Sequence, residues 1–537
     1  MRVLLVYPEL PLSFWSFHII TRRQGYKALM PPLGLITVAA LLPPDWELKL
    51  VDENVEPLTD HHWQWAGLVM VSGMHLQRKG LLAVIAESKR RGIPCVAGGP
   101  CTASDDGALL RAGCTLVVKG EAETTIGPLL DAIAANRTGE VIETDEWADM
   151  EASPVPRFDL LRIDAYSNLN VQTSRGCPFQ CEFCDVIKLF GRRPRYKSAR
   201  QLVDELEAAR RLNPNTPSVF ICDDNFIGDK RRARELLKVL IPWNESAGKP
   251  FSYYTQASID LGRDLGLIDL MTEANFCQVF IGLESPDEEA LTIACKHQNT
   301  RDPLLRSIRT IQSNGLSVIG SFIMGFDGER KGVGGRIVQL VEASGMPVVM
   351  VNVLQAPPET GLWNRLEREG RLLEVEVSGD STLVTMNFLP SRPAGEILAE
   401  YAHVWSEIYD PARFLRRAYR WILGTRPTRA AIARAGGKGV APAPKPCFKL
   451  SKMDVGDARV FLAMAWHHGV LAEYRALFWR QLFGIWLKNR SRIHRYLALC
   501  AIADDMFDIR DRINGNLSPV AVETRASGES QPERASP

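Results

Sequence analysis

The sequence predicts an α/β protein in three parts: an N-terminal doubly wound, Rossmann-like domain, a partial (βα)6 barrel of TIM type, and a mostly helical C-terminal extension. Three observations carry this. Short β-branched runs alternate with segments of helical period over residues 2–135. After a break at 152–157 that holds Pro154 and Pro156, the alternation resumes for six more strands. Beyond about residue 385 helical period takes over.

In the first part, strands are expected at 2–7, 47–52, 65–72, 93–97 and 116–118, and helices at 34–42, 76–91 and 123–135. Residues 65–72 carry no charge, as a strand covered on both faces requires. Five parallel strands in this order place a ligand crevice at their carboxyl ends, around Tyr7, 72–75, 98–100 and 120–123. In the second part strands are expected at 170–173, 218–222, 252–257, 278–283, 317–325 and 348–354, with helices such as 199–212, 231–242 and 302–314 between them. The expected organisation is 1–150, a linker at 151–167, a barrel at 168–385, a helical domain at 386–514 and a disordered tail at 515–537. Residues 425–446, rich in Gly, Ala, Pro and basic residues, read as a flexible loop.

A chain of 537 residues that is 46% hydrophobic is globular and multidomain. Its eleven cysteines are too dilute for a disulfide scaffold, its start has no secretory pattern, and it has no apolar run long enough to span a bilayer. A cytoplasmic protein with reduced thiols is expected. The net charge of +1 gives no general reason to expect nucleic-acid binding. It hides a basic segment, since residues 412–512 hold 20 Lys and Arg against 7 Asp and Glu.

The chemical signal is Cys177-Pro178-Phe179-Gln180-Cys181-Glu182-Phe183-Cys184, a C-x3-C-x2-C triad just after the first strand of the second series. A zinc site needs a fourth Cys or His, and none follows within twenty residues. Three thiolates suit a [4Fe–4S] cluster with one iron left open. The bland alternatives are three buried cysteines or a degenerate zinc knuckle. With its spacing and placement, the motif resembles the radical S-adenosylmethionine (SAM) superfamily over about residues 168–375. That resemblance implies that Cys177, Cys181 and Cys184 ligate three irons, with SAM on the fourth and Phe183 beside them. It also implies cofactor contacts at the ends of later strands. These are Asp223, Asp224 and Asn225 toward the SAM amino group, Gln256, Ser258 and Glu284 toward ribose or carboxylate, and Gly320 in a small-residue run toward adenine. For Asp223–Asn225 a helix cap and turn is the competing reading, and for Gln256 and Ser258 a core or loop role.

A doubly wound domain ahead of such a barrel resembles the cobalamin-binding domain of cobalamin-dependent radical SAM enzymes, over roughly residues 1–140. The features that carry it are 31–35 (PPLGL), 51–54 (VDEN), 97–100 (AGGP) and 120–124 (GEAET). The resemblance implies cobalamin contacts at Ser72, Gly73, Met74, Gly98, Gly99, Gly120 and Glu121. The D-x-H-x-x-G loop of many cobalamin domains is absent, since residues 7–11 read YPELP, so no histidine from that motif is expected on cobalt. His75 is read as packed or solvated.

The helical extension is similar to that of the hopanoid C-2 methylases, through Tyr474-Arg475 and Phe478-Trp479-Arg480 among other short stretches. Its segment 470–499 mixes Trp479, Phe483 and Trp486 with six Lys or Arg. The favoured reading is a helix capping the barrel; an amphipathic surface on anionic lipid is the other, with peripheral contact at the inner face of the membrane. The expected activity is methyl transfer to an unactivated carbon of a hydrophobic, hopanoid- or isoprenoid-like small molecule through a 5′-deoxyadenosyl radical, with ferredoxin or flavodoxin as electron donor and no nucleic-acid partner. Competing expectations are a non-methylating cyclase or rearrangement enzyme, a methylthiotransferase with a second cluster on Cys95, Cys101 and Cys114, and a non-catalytic iron–sulfur or cobalamin sensor.

Overall fold

The computed structural model describes residues 1–104, 106–214, 218–375, 384–426 and 455–517, with 428, 429 and 432 besides. The first sheet is formed by β1 (Arg2–Tyr7), β2 (Glu47–Asp52), β3 (Leu68–Ser72), β4 (Cys95–Gly98), β5 (Leu116–Val118) and β6 (Glu140–Ile142). All pairings are parallel, in the order β2-β1-β3-β4-β5-β6. Side-chain alternation along β1 splits its four buried residues between two cores. Val3 and Leu5 pack under the helices Leu33–Leu41 and Ala122–Ala134, whereas Leu4 and Val6 pack under Arg78–Arg90 and Asp106–Ala112. The reversal of strand order at β1/β3 opens a crevice at the carboxyl ends. The strand β6 was not expected, because Glu140 interrupts the apolar run that marks the equally short β5.

The second sheet runs β14-β13-β12-β11-β10-β7, all parallel. Its strands are β7 (Leu169–Val171), β10 (Ser218–Ile221), β11 (Ser252–Gln256), β12 (Phe276–Glu284), β13 (Ser317–Met324) and β14 (Val349–Val353). Each neighbours the next in sequence, so the six form an open arc with helices outside. A small ribbon, β8 (Ser174–Arg175) against β9 (Arg195–Tyr196), closes the base of the loop that follows β7.

The helices Ala394–Ile408 and Pro411–Gly424 cover the β14 side of the arc. Trp405 Nε1 donates to Val351 O at 3.2 Å, and Val349 N donates to Tyr409 Oη at 2.9 Å. Arg417 is fully buried, yet satisfied by Met346 O at 2.9 Å, Ile408 O at 2.8 Å and Glu342 Oε1 at 2.8 Å. One continuous core joins these helices to the outer face of the barrel.

Residues 8–32 do more than connect β1 to its helix. Lys27 N donates to Ala165 O, Asn168 N to Leu29 O and Asn170 Nδ2 to Pro31 O, so this segment runs beside the linker to the free edge at β7. Its short helix His18–Arg23 is held by Asp505 of the helix Ile493–Asn516, whose carboxylate accepts from Ile19 N at 2.8 Å and Ile20 N at 3.0 Å. First and last segments are thereby tied together. The expected tail and the expected loop at 425–446 lie mostly outside the described residues, except that Ile493–Asn516 runs two residues into the tail. Among the described residues no helix is long and apolar enough to cross a membrane.

Candidate active site

The cysteine loop spans 176–194, between β8 and β9. It can close because Gly176 has φ +95° and a Cβ there would sit 3.0 Å from the carbonyl oxygens of Phe190 and Gly191. The three thiols act on one another. Burial raises the Cys177 and Cys184 thiols, the latter to about 12, and Cys181 adds to both. Cys181 is buried and accepts from Gln298 Nε2 at 3.5 Å. Among the described residues no three His, Cys, Asp or Glu meet at a point that would hold a single metal ion. Because Cys181 acts on both of the others, the three thiols sit together on one loop, and three thiolates are the donor set of a [4Fe–4S] cluster with one iron left open. The far side of the loop is anchored by Glu182, which takes a forked pair of bonds from Arg365 at 3.0 and 2.8 Å.

Two adjacent carboxylates after β10 grip the start of this loop. Asp223 accepts from Thr173 N at 2.6 Å, Ser174 N at 2.9 Å and Ser174 Oγ at 2.8 Å, and also from Thr173 Oγ1. With no exposed surface and its oxygens so engaged, Asp223 positions the loop. Asp224 accepts from Gly176 N at 2.9 Å, remains partly exposed, and is pushed by burial up to about 6. Asn225 ties to Ser258 through Ser258 N at 3.2 Å, and Phe226 N donates to Gln256 O at 3.0 Å. Asp224, Gln256 and Ser258 thus share one rim, at the carboxyl ends of β10 and β11.

Glu284 closes β12 with φ +62° at a register shift in the pairing with β13. Its Oε1 receives Lys296 Nζ at 2.7 Å, and that ammonium lies 5.7 Å from the centre of the Phe183 ring. Lys296 and Gln298 were missed by sequence reasoning, since they follow a helix and belong to no motif. A Cβ at Gly282 would stand 2.2 Å from Glu284 Oε1 and 3.1 Å from Lys296 Nζ. Lys296→Met is therefore expected to strand the Glu284 carboxylate and cost about 3–5 kcal/mol, whereas Gly282→Ala, whose Cβ meets only the movable ends of these two side chains, should cost clearly less. Thermal unfolding of both variants checks this. At Gly320, expected near adenine, a Cβ would meet Leu283 and Met346 at 2.9–3.1 Å, so its small size serves strand packing.

The crevice of the first sheet faces the cysteine loop. Lys188 Nζ donates to Ala103 O at 3.0 Å, and Asp185 and Lys188 act on His75, whose imidazole burial holds below its usual value. Met74 is half exposed at this rim. Gly99 has φ +88°, and a Cβ would strike Ser72 Oγ at 2.4 Å, so Ser72, Gly73 and Gly99 form one tight floor; a Cβ at Gly98 or Gly120 would make only ordinary contact, with Val118 at 3.9 Å and Thr125 at 4.0 Å. Glu121, expected on the cobalamin side, is engaged by the protein. Its carboxylate is taken by Arg175 Nη1 at 2.8 Å, Arg195 Nη1 at 2.6 Å and Ala148 N at 2.9 Å, so it fastens the first sheet to the base of the cysteine loop. Glu123 adds a forked pair to Arg175 at 2.8 and 2.9 Å. Although burial opposes ionisation, Arg175 holds the Glu123 carboxyl at about 2. Cys95, Cys101 and Cys114 lie in the core beneath this sheet, where Cys114 Sγ donates to Leu116 O at 3.0 Å, and offer no surface for a second cluster.

Alternation along the barrel strands turns Val219, Ile221, Tyr253, Val279 and Ile281 outward into the core, and leaves Phe220, Tyr254 and Phe280 on the opposite face. Phe220 and Tyr254 stack at 4.9 Å, and Trp15 from the first part reaches Phe280 at 5.0 Å. The concave side is therefore aromatic.

Residues 171–332 match the radical SAM superfamily, and residues 360–518 match a domain of unknown function, DUF4070. The chain is 42% identical to an uncharacterized methyltransferase of a Synechocystis strain, over 95% of this chain and 92% of that protein. It is 31% identical to the hopanoid C-2 methylase of Rhodopseudomonas palustris, over 94% and 92%. Among solved structures, the cobalamin-dependent SAM radical enzyme OxsB, with aqua-cobalamin and SAM bound, superposes with a TM-score of 0.57 at 14% identity, covering 99% of this chain and 82% of OxsB. That last likeness is one of fold.

Proposed function

The chain belongs to the radical SAM methyltransferases, and on that premise we propose that it binds cobalamin and methylates an unactivated carbon of a hydrophobic, hopanoid- or isoprenoid-like substrate. Cys177, Cys181 and Cys184 would hold a [4Fe–4S] cluster, Asp224, Gln256, Ser258 and Glu284 would line the SAM side, and Ser72, Gly73, Met74, Gly98, Gly99 and Gly120 the cobalamin side. When bound, these groups supply an electron to cleave SAM, a radical to abstract hydrogen, and the methyl to be transferred.

The observation that supports this most is the facing of the two crevices across Arg175, Glu121 and Glu123. Group transfer between two cofactors needs the acceptor carbon held between them, and a rigid ionic latch fixes that separation. Asp223 and Asp224 hold the cysteine loop at one wall. The aromatic concave side, with Trp15 and Phe280, offers an apolar bed and excludes water from a radical. The electron would come from a reduced ferredoxin or flavodoxin. An expected result follows for the substrate. Lipid extracts from a strain lacking the gene will contain a neutral lipid one methyl lighter than its wild-type counterpart, by mass spectrometry. Unchanged lipids with a changed water-soluble metabolite would overturn the hydrophobic assignment.

A further inference from the structure

The helix Arg475–Lys488 has two apolar faces, and only one is covered by neighbouring helices. Phe478, Gln481, Leu482 and Ile485 are buried against Pro411–Gly424 and Ile493–Asn516. On the other side Trp479, Phe483, Trp486 and Leu487, spaced i, i+4, i+7, i+8, are 44, 59, 41 and 63% exposed. Phe483 and Trp486 stack at 5.7 Å with their rings nearly parallel. Trp479 is fixed by Nε1 donating to Gly469 O at 2.8 Å, which brings in the adjoining turn with its exposed Leu471. This is a continuous aromatic ridge, larger than the scattered apolar side chains of an ordinary surface.

Along the helix and the turn after it every charge is positive, and Glu473, just before the helix, is the one acid beside it in sequence. Residues 475–495 include six Lys and Arg and no Asp or Glu. The Arg490 guanidinium lies 4.2 Å over the Trp486 ring. Arg480 borders a hollow of about 640 Å³ that also holds Arg413, Arg416 and Arg420, and its one acid, Glu342, is already paired with Arg417 and Arg420.

We infer that this face docks the enzyme on an anionic lipid bilayer, with the Trp and Phe rings at headgroup depth and the arginines on lipid phosphates. The charge selects this occupant over two others. A second copy pairing ridge to ridge would set like fringes against each other. Residues 433–454 of the same chain carry five Lys and Arg against one Asp, so they too share the fringe's sign. The inference rests on this surface alone and needs no cofactor to test, so its failure leaves the methyl-transfer reading standing.

The test is flotation of the full-length protein with phosphatidylcholine vesicles, with and without phosphatidylglycerol. Binding is expected only with the anionic lipid, to be lost at high salt, and to fall at least about tenfold in both Trp479→Ser/Phe483→Ser/Trp486→Ser and Arg480→Glu/Arg490→Glu. Circular dichroism verifies that each variant is folded, and brominated lipid should quench tryptophan emission in the wild type. No binding to anionic vesicles, or equal binding by the folded variants, would overturn the inference. So would a dimer that the triple variant dissolves without any vesicle binding. So would vesicle binding that appears only on deleting 433–454, which would assign the ridge to that segment.

Discussion

Cys181→Ala is expected to eliminate SAM cleavage. The protein should remain folded, lose its iron–sulfur charge-transfer absorption after reconstitution, and form no 5′-deoxyadenosine above background. Three thiolates are all the ligands this loop offers, so removing one leaves two irons without protein donors. The loss should exceed the ~10–100-fold that removing a supporting hydrogen bond to a ligand costs. Gln298→Leu, which takes away the donor to Cys181 Sγ, should show that smaller effect on iron retention. Cys295→Ala should bind iron and cleave SAM as the wild type does, since Cys295 lies outside the triad. Full iron content in Cys181→Ala would remove the triad from its assigned role.

The second large effect concerns the latch between the two sheets. Arg175→Met should destabilise the protein by about 3–5 kcal/mol, because it strands Glu123 and part of Glu121 as buried carboxylates without their cation. Proteolysis in the linker at 151–167 should accelerate with it. Arg175→Lys should recover only part of this, as an ammonium cannot fork to two carboxylates at once. The same pair sets an acid limit. Glu123 is held at about 2 in the folded protein against 4.5 for a free carboxyl, so its contribution is complete above pH ~4.5 and lost as pH falls from there toward 2. That shift corresponds to about 3 kcal/mol. Denaturant titrations between these pH values should show the wild type losing stability faster than Glu123→Gln, which has no proton to take up at that position.

Much of this was legible because the strongest signals are local. The six barrel strands are short apolar runs set off by turns, and Cys177, Cys181 and Cys184 stand out by their spacing. What escaped depends on where side chains turn after folding. Asp223 and Glu121 stand at strand ends, where a carboxylate reads as a ligand; both are instead consumed by the protein, one by Thr173 and Ser174 and the other by Arg175 and Arg195. Gly320 reads as room for a cofactor, yet its small size serves Leu283 and Met346. Lys296 and the docking of residues 8–32 along β7 arise from long-range packing, which no window of sequence contains. The helical extension reads correctly as helices, while its second apolar face becomes apparent only once the first is seen to be covered.

The central claim is that both crevices serve one reaction, in which a methyl leaves SAM and arrives on substrate carbon. The most direct measurement uses the anaerobically reconstituted protein with cluster, cobalamin, reductant, methyl-deuterated SAM and lipid extract from the deletion strain. The account predicts a lipid product carrying the labelled methyl, with S-adenosylhomocysteine and 5′-deoxyadenosine formed in equal amounts and both dependent on cobalamin. 5′-Deoxyadenosine without label in any product would contradict it, and would mark the protein as a radical enzyme that rearranges or cyclises its substrate.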